Sequence, residues 1–287
     1  MYPAAFEYFA PRTVDEALEL LARHGEDAKI LAGGQSLLPM MKLRIASPRC
    51  LVDVNRIDEL AGLRREGDRL VIGALCRHAD IAASPIVREH LAIMLDAANQ
   101  TADVQVRNRG TVAGSLAHAD PAGDWPAALR TLDTMVTIAA KSGTRTLPLA
   151  GFIVDAYTTQ LGSGEMVIEV SVGIPARPGG GAYLKFEKRA GDFAVASVGV
   201  QVRLDRDRCG TAAISLGAVG PTPIRATAAE TLLQGKMISP DLLNEAEQLV
   251  RDAAAPFPDT RGSVEYKRHL AGVLFGRAFA IALNRSR

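Results

Sequence analysis

The sequence predicts an α+β protein in two units, the first of them two-lobed, and three observations carry this. Short strand-like and helical runs alternate irregularly through the first ~175 residues. The stretch Pro175-Ala176-Arg177-Pro178-Gly179-Gly180-Gly181 then breaks both periodicities. Beyond it, three strand-like runs are followed by three helical ones. A length of 287 residues, about twice a typical domain, accommodates this division. The expected boundary falls at 177/178, with lobes of about 1–57 and 58–177 in the first unit.

Each element has a local reason. Thr13, with Glu16 three residues on, is a capping-box start for a helix whose apolar side continues through Leu18, Leu20 and Leu21. After His24-Gly25-Glu26-Asp27, the run Ala28 to Ala32 is a short buried strand ending at paired glycines. A helix from about Leu37 to Ile45 and a strand at Cys50 to Val54 complete a βαβ-like opening. Leu63-Arg64-Arg65 and Arg69 to Ala74 flank the turn Glu66-Gly67-Asp68 as a hairpin. Helices follow around Ala79 to Ala82 and from Val87 to Ala98, then a loop-rich stretch from Arg107 to Asp124 and an apolar helix from Ala127 to Leu132. Met135 to Ala140, Arg145 to Leu149 and Met166 to Val172 supply further strands. In the second unit, Ala182 to Arg189, Ala194 to Leu204 and Thr211 to Val219 predict a three-stranded antiparallel sheet. It is covered by a bundle of helices at Ala226 to Leu233, Pro240 to Ala254 and Val264 to Asn284.

Composition excludes several functions. Thirty-three Lys and Arg against thirty-two Asp and Glu leave a net charge of +1, with no basic block to track a phosphate backbone, so nucleic acid is not expected as a partner. The amino terminus lacks a signal-peptide pattern and no apolar run reaches the ~18 residues of a membrane span, so a cytoplasmic protein is expected. Cys50, Cys76 and Cys209 are too dispersed for a disulfide framework, a metal site or an iron-sulfur cluster. His24, His78, His90, His118 and His269 show no metal-binding spacing, and no metal is assigned. Ser142, Ser163 and Ser197 lack a G-x-S-x-G context, and no catalytic side-chain set stands out.

Two glycine loops are the chemically suggestive features. Ala32-Gly33-Gly34-Gln35-Ser36 lies between a strand and a helix, where backbone amides hold phosphate as readily as they make a tight turn. Arg109-Gly110-Thr111-Val112-Ala113-Gly114-Ser115-Leu116-Ala117 is small and polar, and precedes Asp124, which is either a helix N-cap or an acceptor for a ribose. Two such loops suit a ligand with two phosphates and two ring systems.

The runs AGGQSLLPMMKLR, RNRGTVAGSLAHADPAGDWPAAL and KFEKRAGDFAVAS, in that order and spacing, resemble the FAD-binding medium subunits of molybdenum hydroxylases of the carbon monoxide dehydrogenase and xanthine dehydrogenase family. The resemblance covers essentially the whole chain. It implies a two-lobed FAD-binding domain of the vanillyl-alcohol-oxidase/p-cresol-methylhydroxylase type and a C-terminal domain special to the family. Carried over by position, Lys29, Ile30, Leu31, Ala32, Gly33, Gly34, Gln35, Ser36 and Leu37 would form the first pyrophosphate loop. Gly110, Thr111, Gly114, Ser115 and Ala117 would form the second, and Thr101, Ala102 and Val106 would line the flavin or adenine pocket. Asp124 would hold the ribose, Met166 and Val167 would pack near the nucleotide, and Lys185 would approach the isoalloxazine. Ala113 and Phe193 depart from the family pattern, which commonly has Gly and Tyr there.

The resemblance further implies a small iron-sulfur subunit and a large molybdopterin subunit as partners, in a heterotrimer often paired into a hexamer. This chain would take electrons from the partner clusters and pass them to an external acceptor. A stand-alone flavin oxidase of the same superfamily, or a non-catalytic assembly protein, are the alternatives.

Overall fold

The computed structural model describes residues 2–175 and 179–287, so the expected boundary at 177/178 lies outside the described residues. The first lobe contains β1 (Glu7–Phe9), α1 (Val14–His24), β2 (Ala28–Leu31), α2 (Leu37–Lys42) and β3 (Cys50–Asp53). All three strands are parallel, in the order β1-β3-β2, so the opening has one strand more than the expected βαβ unit. Thr13 caps α1 as expected, its Oγ1 accepting from Glu16 N at 3.2 Å. The Glu16 carboxylate, however, accepts from Arg12 N, so the reciprocal half of the box closes one residue early. Helix α2 stops at Lys42, short of the expected Ile45, because Arg44 adopts a left-handed φ of 59°.

The second lobe runs through β4 (Leu63–Glu66), β5 (Arg69–Gly73), α3 (His78–Ala83), α4 (Pro85–His90), α5 (Ala92–Gln100), α6 (Val104–Arg107), α7 (Val112–His118) and α8 (Asp124–Leu129). It continues with β6 (Thr134–Ala140), β7 (Gly143–Pro148), α9 (Leu149–Phe152), β8 (Ile153–Asp155), β9 (Thr158–Thr159) and β10 (Met166–Gly173). Its five-stranded antiparallel sheet has the order β4-β5-β10-β6-β7. The helix expected from Val87 to Ala98 is two helices, since Leu91 leaves helical geometry (φ −132°, ψ 53°) to bury its side chain between them. The expected loop from Arg107 to Asp124 contains α7, which small residues disguise and the Thr111 cap nevertheless starts. The helix expected from Ala127 to Leu132 begins earlier, at Asp124, and ends at Leu129.

The last unit comprises β11 (Gly180–Phe186), β12 (Ala196–Asp205), β13 (Arg208–Gly217), β14 (Ile224–Arg225), α10 (Thr227–Leu233), α11 (Pro240–Ala253) and α12 (Val264–Arg285). The sheet is antiparallel but has four strands, β11-β12-β13-β14, since Ile224 and Arg225 add a short edge to the three expected. Alternate residues Val198, Val200 and Val202 of β12 join Ile214 and Leu216 of β13 against Phe275 and Phe279 of α12, giving this unit its own core. Gly180 permits that packing, because a Cβ there would lie 1.5 Å from Ala282 O.

The free edge of β11 is covered by α5 through side chains. Asp96 Oδ2 accepts from Tyr183 N, Gln100 Nε2 donates to Tyr183 O, and Gln100 Oε1 accepts from Lys185 N. Residues four apart on a helix and two apart on a strand have nearly the same rise, so one helix face serves one strand edge. Arg285 completes the junction by donating to both Asp96 oxygens and to Gly181 O. Tyr183 accordingly packs in the core of the first unit although its strand belongs to the second. Loss of Asp96 removes charge-assisted bonds from a half-buried seam, so Asp96→Ala should cost roughly 1.5–3 kcal/mol in urea unfolding. A change below about 0.5 kcal/mol would show that apolar packing alone closes this edge.

Candidate cofactor site

The two glycine loops come from different lobes and meet. A Cβ on Gly33 would lie 2.5 Å from Arg109 O and 2.7 Å from Gly110 Cα, so the backbones are in direct contact and only glycine fits. Gly34 has φ +74°, and Leu38 N, bonded to Gly34 O, opens the hydrogen bonding of α2. Among the described residues, the amides of Gly33, Gly34, Gln35, Ser36 and Leu37 take no backbone partner. A run of successive free amides around a left-handed residue is a concave anion site.

Polar side chains tie the loops together behind this contact. Asn55 Nδ2 donates to Ala32 O at 2.8 Å and Leu31 O at 3.3 Å, and Asn55 Oδ1 accepts from Arg77 Nη2 at 2.6 Å. Arg77 Nη1 in turn donates to Arg109 O at 2.5 Å. Asp53 steadies Asn55 by accepting from its backbone N, and is itself held by the Tyr8 hydroxyl at 2.6 Å. Burial opposes ionisation of Asp53, but the bonds from Tyr8 and Asn55 outweigh it and leave the carboxyl below its usual range.

The second loop rests on a buried imidazole. A Cβ on Gly110 would lie 2.7 Å from His78 Nε2, and His78 Nδ1 accepts from Trp125 Nε1 at 3.0 Å. Trp125 is fully buried and anchors this part of the core. Thr111 Oγ1 accepts from Gly114 N and Thr111 O from Ser115 N, so the amides of Gly114 and Ser115 are already used within α7. The 2.6 Å clearance between a Gly114 Cβ and Thr111 Oγ1 gives that glycine a local reason. Ala113 lies within the helix, at negative φ, so its methyl causes no strain.

Arg107 holds the carbonyls of Thr101 and Ala102, and Ala102 has a left-handed φ of 43°. Gly191, from the loop after β11, packs on that same peptide, 3.3 Å from Ala102 C to its ideal Cβ. Val106 O accepts from Gly110 N, which connects this pocket wall to the second loop. From the other side, Lys185 Nζ donates to Asp192 O at 3.0 Å and pairs with Glu187 at 3.0 Å and Asp124 at 3.3 Å.

Asp124 is not an N-cap. Gly123 occupies that position, Asp124 is the first helical residue, and its Oδ1 accepts from the Tyr183 hydroxyl at 2.8 Å as well as facing Lys185. Burial raises its pKa, with Lys185 and Tyr183 opposing. The buried charge is therefore tolerated only because partners from β11 cross to it.

The expected residues thus divide. Ala32 to Leu37, Gly110, Thr111, Thr101, Ala102, Val106, Lys185 and Asp124 form one contiguous chain of contacts. Lys29 is exposed on β2, while Met166 and Val167 are buried in β10 beneath α7. Ser115 and Ala117 are half-buried along α7. His118 is half-buried against Tyr157, 5.3 Å between ring centroids, and Phe193 is substantially exposed with Arg261 over its ring. Asn55, Arg77, His78 and Tyr183 were not singled out; the only local hint was the Asp53-Val54-Asn55 spacing of an Asx turn.

Burial, then the charges of Arg77 and Arg107, pushes the His78 pKa from 6.5 down to about 4. The folded state keeps it neutral where the unfolded chain protonates, so stability falls as pH drops from about 6.5 to 4, by roughly 3 kcal/mol in all. His78→Gln should flatten that part of the stability–pH curve. Parallel curves for the two proteins in urea melts across this window would refute the assignment.

Comparison with known proteins agrees with this architecture. Residues 4–176 match the family described as FAD binding domain in molybdopterin dehydrogenase, and residues 181–282 match the CO dehydrogenase flavoprotein C-terminal domain. The chain is 40% identical over 282 residues to the carbon monoxide dehydrogenase medium chain of Hydrogenophaga pseudoflava, covering 98% of each. It is 38% identical to the 6-hydroxypseudooxynicotine dehydrogenase complex subunit alpha of Paenarthrobacter nicotinovorans, covering 100% of this chain and 97% of the other. A solved carbon monoxide dehydrogenase from Hydrogenophaga pseudoflava superposes with a TM-score of 0.97 at 42% identity, over 99% of both chains. FAD is accordingly the cofactor, and this chain belongs to the FAD-binding subunits of the molybdopterin dehydrogenases, with the C-terminal domain of the CO dehydrogenase flavoproteins.

Proposed function

We propose that this chain is the electron-transfer subunit of a cytoplasmic molybdenum hydroxylase. It takes electrons from iron-sulfur clusters on a small partner and passes them to an external acceptor, while substrate is oxidised on a large molybdopterin partner in a heterotrimer. The observation that carries this is the meeting of Gly33 with Arg109–Gly110 beside a run of unpartnered amides. That arrangement fits a pyrophosphate, and among the described residues no nucleophile–base pair accompanies it. Bound flavin accepts one or two electrons, which lets it join single-electron donors to a two-electron acceptor.

The residues supply binding and orientation. In this reading the amides from Gly33 to Leu37, with that of Thr111, hold the pyrophosphate by backbone donation, and Gly110, whose own N–H is taken by Val106 O, lets the backbone come close. Asp124, fixed through Oδ1 by Tyr183 and Lys185, is the ribose acceptor. Lys185, buried between Asp124, Glu187 and the Asp192 carbonyl, places a cation at the seam where the isoalloxazine would lie. Residues 1–177 and 178–287 act as the nucleotide-binding and covering domains. The chain's three cysteines, Cys50, Cys76 and Cys209, are dispersed, buried and fewer than the four thiolates that a cluster takes. The clusters therefore reside on other chains.

Stopped-flow reduction tests the reading. In the reconstituted complex, a substrate of the molybdenum site should bleach the flavin of this chain within turnover, whereas the free subunit mixed with the same substrate should stay oxidised. Rapid reduction of the free subunit's FAD by a physiological small molecule would instead establish a self-sufficient oxidase.

A further inference from the structure

We infer that Asn55 and Arg77 are positioning residues that fix the separation and orientation of the two FAD loops. The inference rests on the FAD-site reading above and extends it to side chains that touch only the backs of the loops. The loops lie in different lobes and join at a bare backbone contact between Gly33 and Arg109–Gly110. Such a contact resists approach but does little to resist separation or rotation of the peptides. The two side chains supply what it lacks. Asn55 spends both kinds of amide atom, donating to Leu31 O and Ala32 O and accepting from Arg77, while Arg77 spans from Asn55 Oδ1 to Arg109 O with two prongs of one planar group.

Peptide planarity turns this into an argument about donors. In a trans peptide the C=O and N–H point in opposite directions, so pinning Ala32 O from behind directs the N–H of Gly33 away from Asn55. That amide begins the unpartnered run. The Arg109–Gly110 peptide is held at both ends, its carbonyl by Arg77 and its N–H by Val106 O. Arg77 is also anchored on its own backbone, where its N donates to Asp80 Oδ2 at 2.8 Å and its strand segment bridges to Thr111. Asn55 is likewise fixed by Asp53, and Asp53 by Tyr8. A continuous relay thus runs from β1 through both lobes to the second loop.

Charge offers a competing account, since Arg77 also adds a positive field near any phosphate. The two accounts diverge on Arg77→Lys, which keeps the charge but has no fork to reach Asn55 and Arg109 together. The experiment is titration of FAD into the apo form of the full chain, followed by flavin fluorescence, for wild type, Arg77→Lys, Arg77→Met, Asn55→Leu and the Arg77→Lys/Asn55→Leu pair. The clamp predicts roughly tenfold or greater weakening for each single variant, Lys included, and little further loss in the pair because both break one linkage. Hydrogen exchange of the apo proteins gives a readout independent of ligand. The hydrogen-bonded amides of the two loops, that of Leu38 and those of residues 107–110, should exchange faster together in either variant, while those of β2 and β3 stay protected. Affinities of Arg77→Lys and Asn55→Leu within about threefold of wild type overturn the inference, as does retained affinity in Arg77→Lys with loss in Arg77→Met, which assigns the effect to charge. A wild-type chain that fails to bind FAD would defeat the FAD-site reading, a result distinct from either.

Discussion

The meeting of the two glycine loops depends on a contact that admits no side chain. Gly33 lies against the backbone of Arg109 and Gly110, and the absence of a Cβ lets loops from two separately built lobes close on each other. The lobes have different sheet types, parallel in the first and antiparallel in the second, so no continuous sheet holds them in register. One apolar core joins the two lobes, and at the loops they are aligned by this contact and the polar bridge of Asn55 and Arg77 behind it. Glycine at 33 is thus explained by protein packing against itself, before any ligand is considered. A backbone held that closely leaves its next amides without backbone partners, the arrangement that suits an anion.

The same logic, with opposite chemistry, governs the junction with the last unit. There an edge strand must be covered, and α5 does it with Asp96 and Gln100, side chains that imitate the missing neighbouring strand. Two residues further along that strand, Lys185 reaches back into the first unit to neutralise Asp124. Removing one member of a buried charge pair costs more than the pair contributes, because the survivor is left desolvated. Asp124 therefore belongs to both units: its backbone starts α8 in the first, and its charge is balanced by the second. The placing of the Asp124 carboxylate is consequently linked to how firmly the seam is closed.

Much of the fold was legible because the relevant signals were local. Thr13 and Glu16, the turn at Gly67, and the apolar alternation of Val198, Val200 and Val202 each determine structure within a few residues. The failures have equally specific causes. Leu91 breaks a helix because its side chain is buried at the joint, and tertiary packing of that kind leaves no periodic trace. Helix α7 hides because Val112, Gly114 and Ser115 are weak helix formers in its first turn, and the Thr111 hydroxyl is what starts it. The short strands β1 and β14 exist because a neighbour's edge is open to them, which pairing shows and composition does not.

The site shows the same division between near and far. The glycine loops could be picked out directly, since a loop between strand and helix advertises its backbone, and the family resemblance pointed to Asp124 and Lys185, which the structure pairs with each other. The supporting residues could not, because Asn55, Arg77, His78 and Tyr183 act on groups 22 to 59 positions away in sequence. Nor is chemical identity a guide to them: an arginine near phosphates suggests an ion pair, whereas Arg77 spends its prongs on an amide oxygen and a carbonyl. In the proposed site, backbone amides do the binding and side chains aim them. That distribution suits a subunit whose cofactor carries the chemistry, since the protein then has to hold a flavin in one orientation without supplying an acid, a base or a nucleophile.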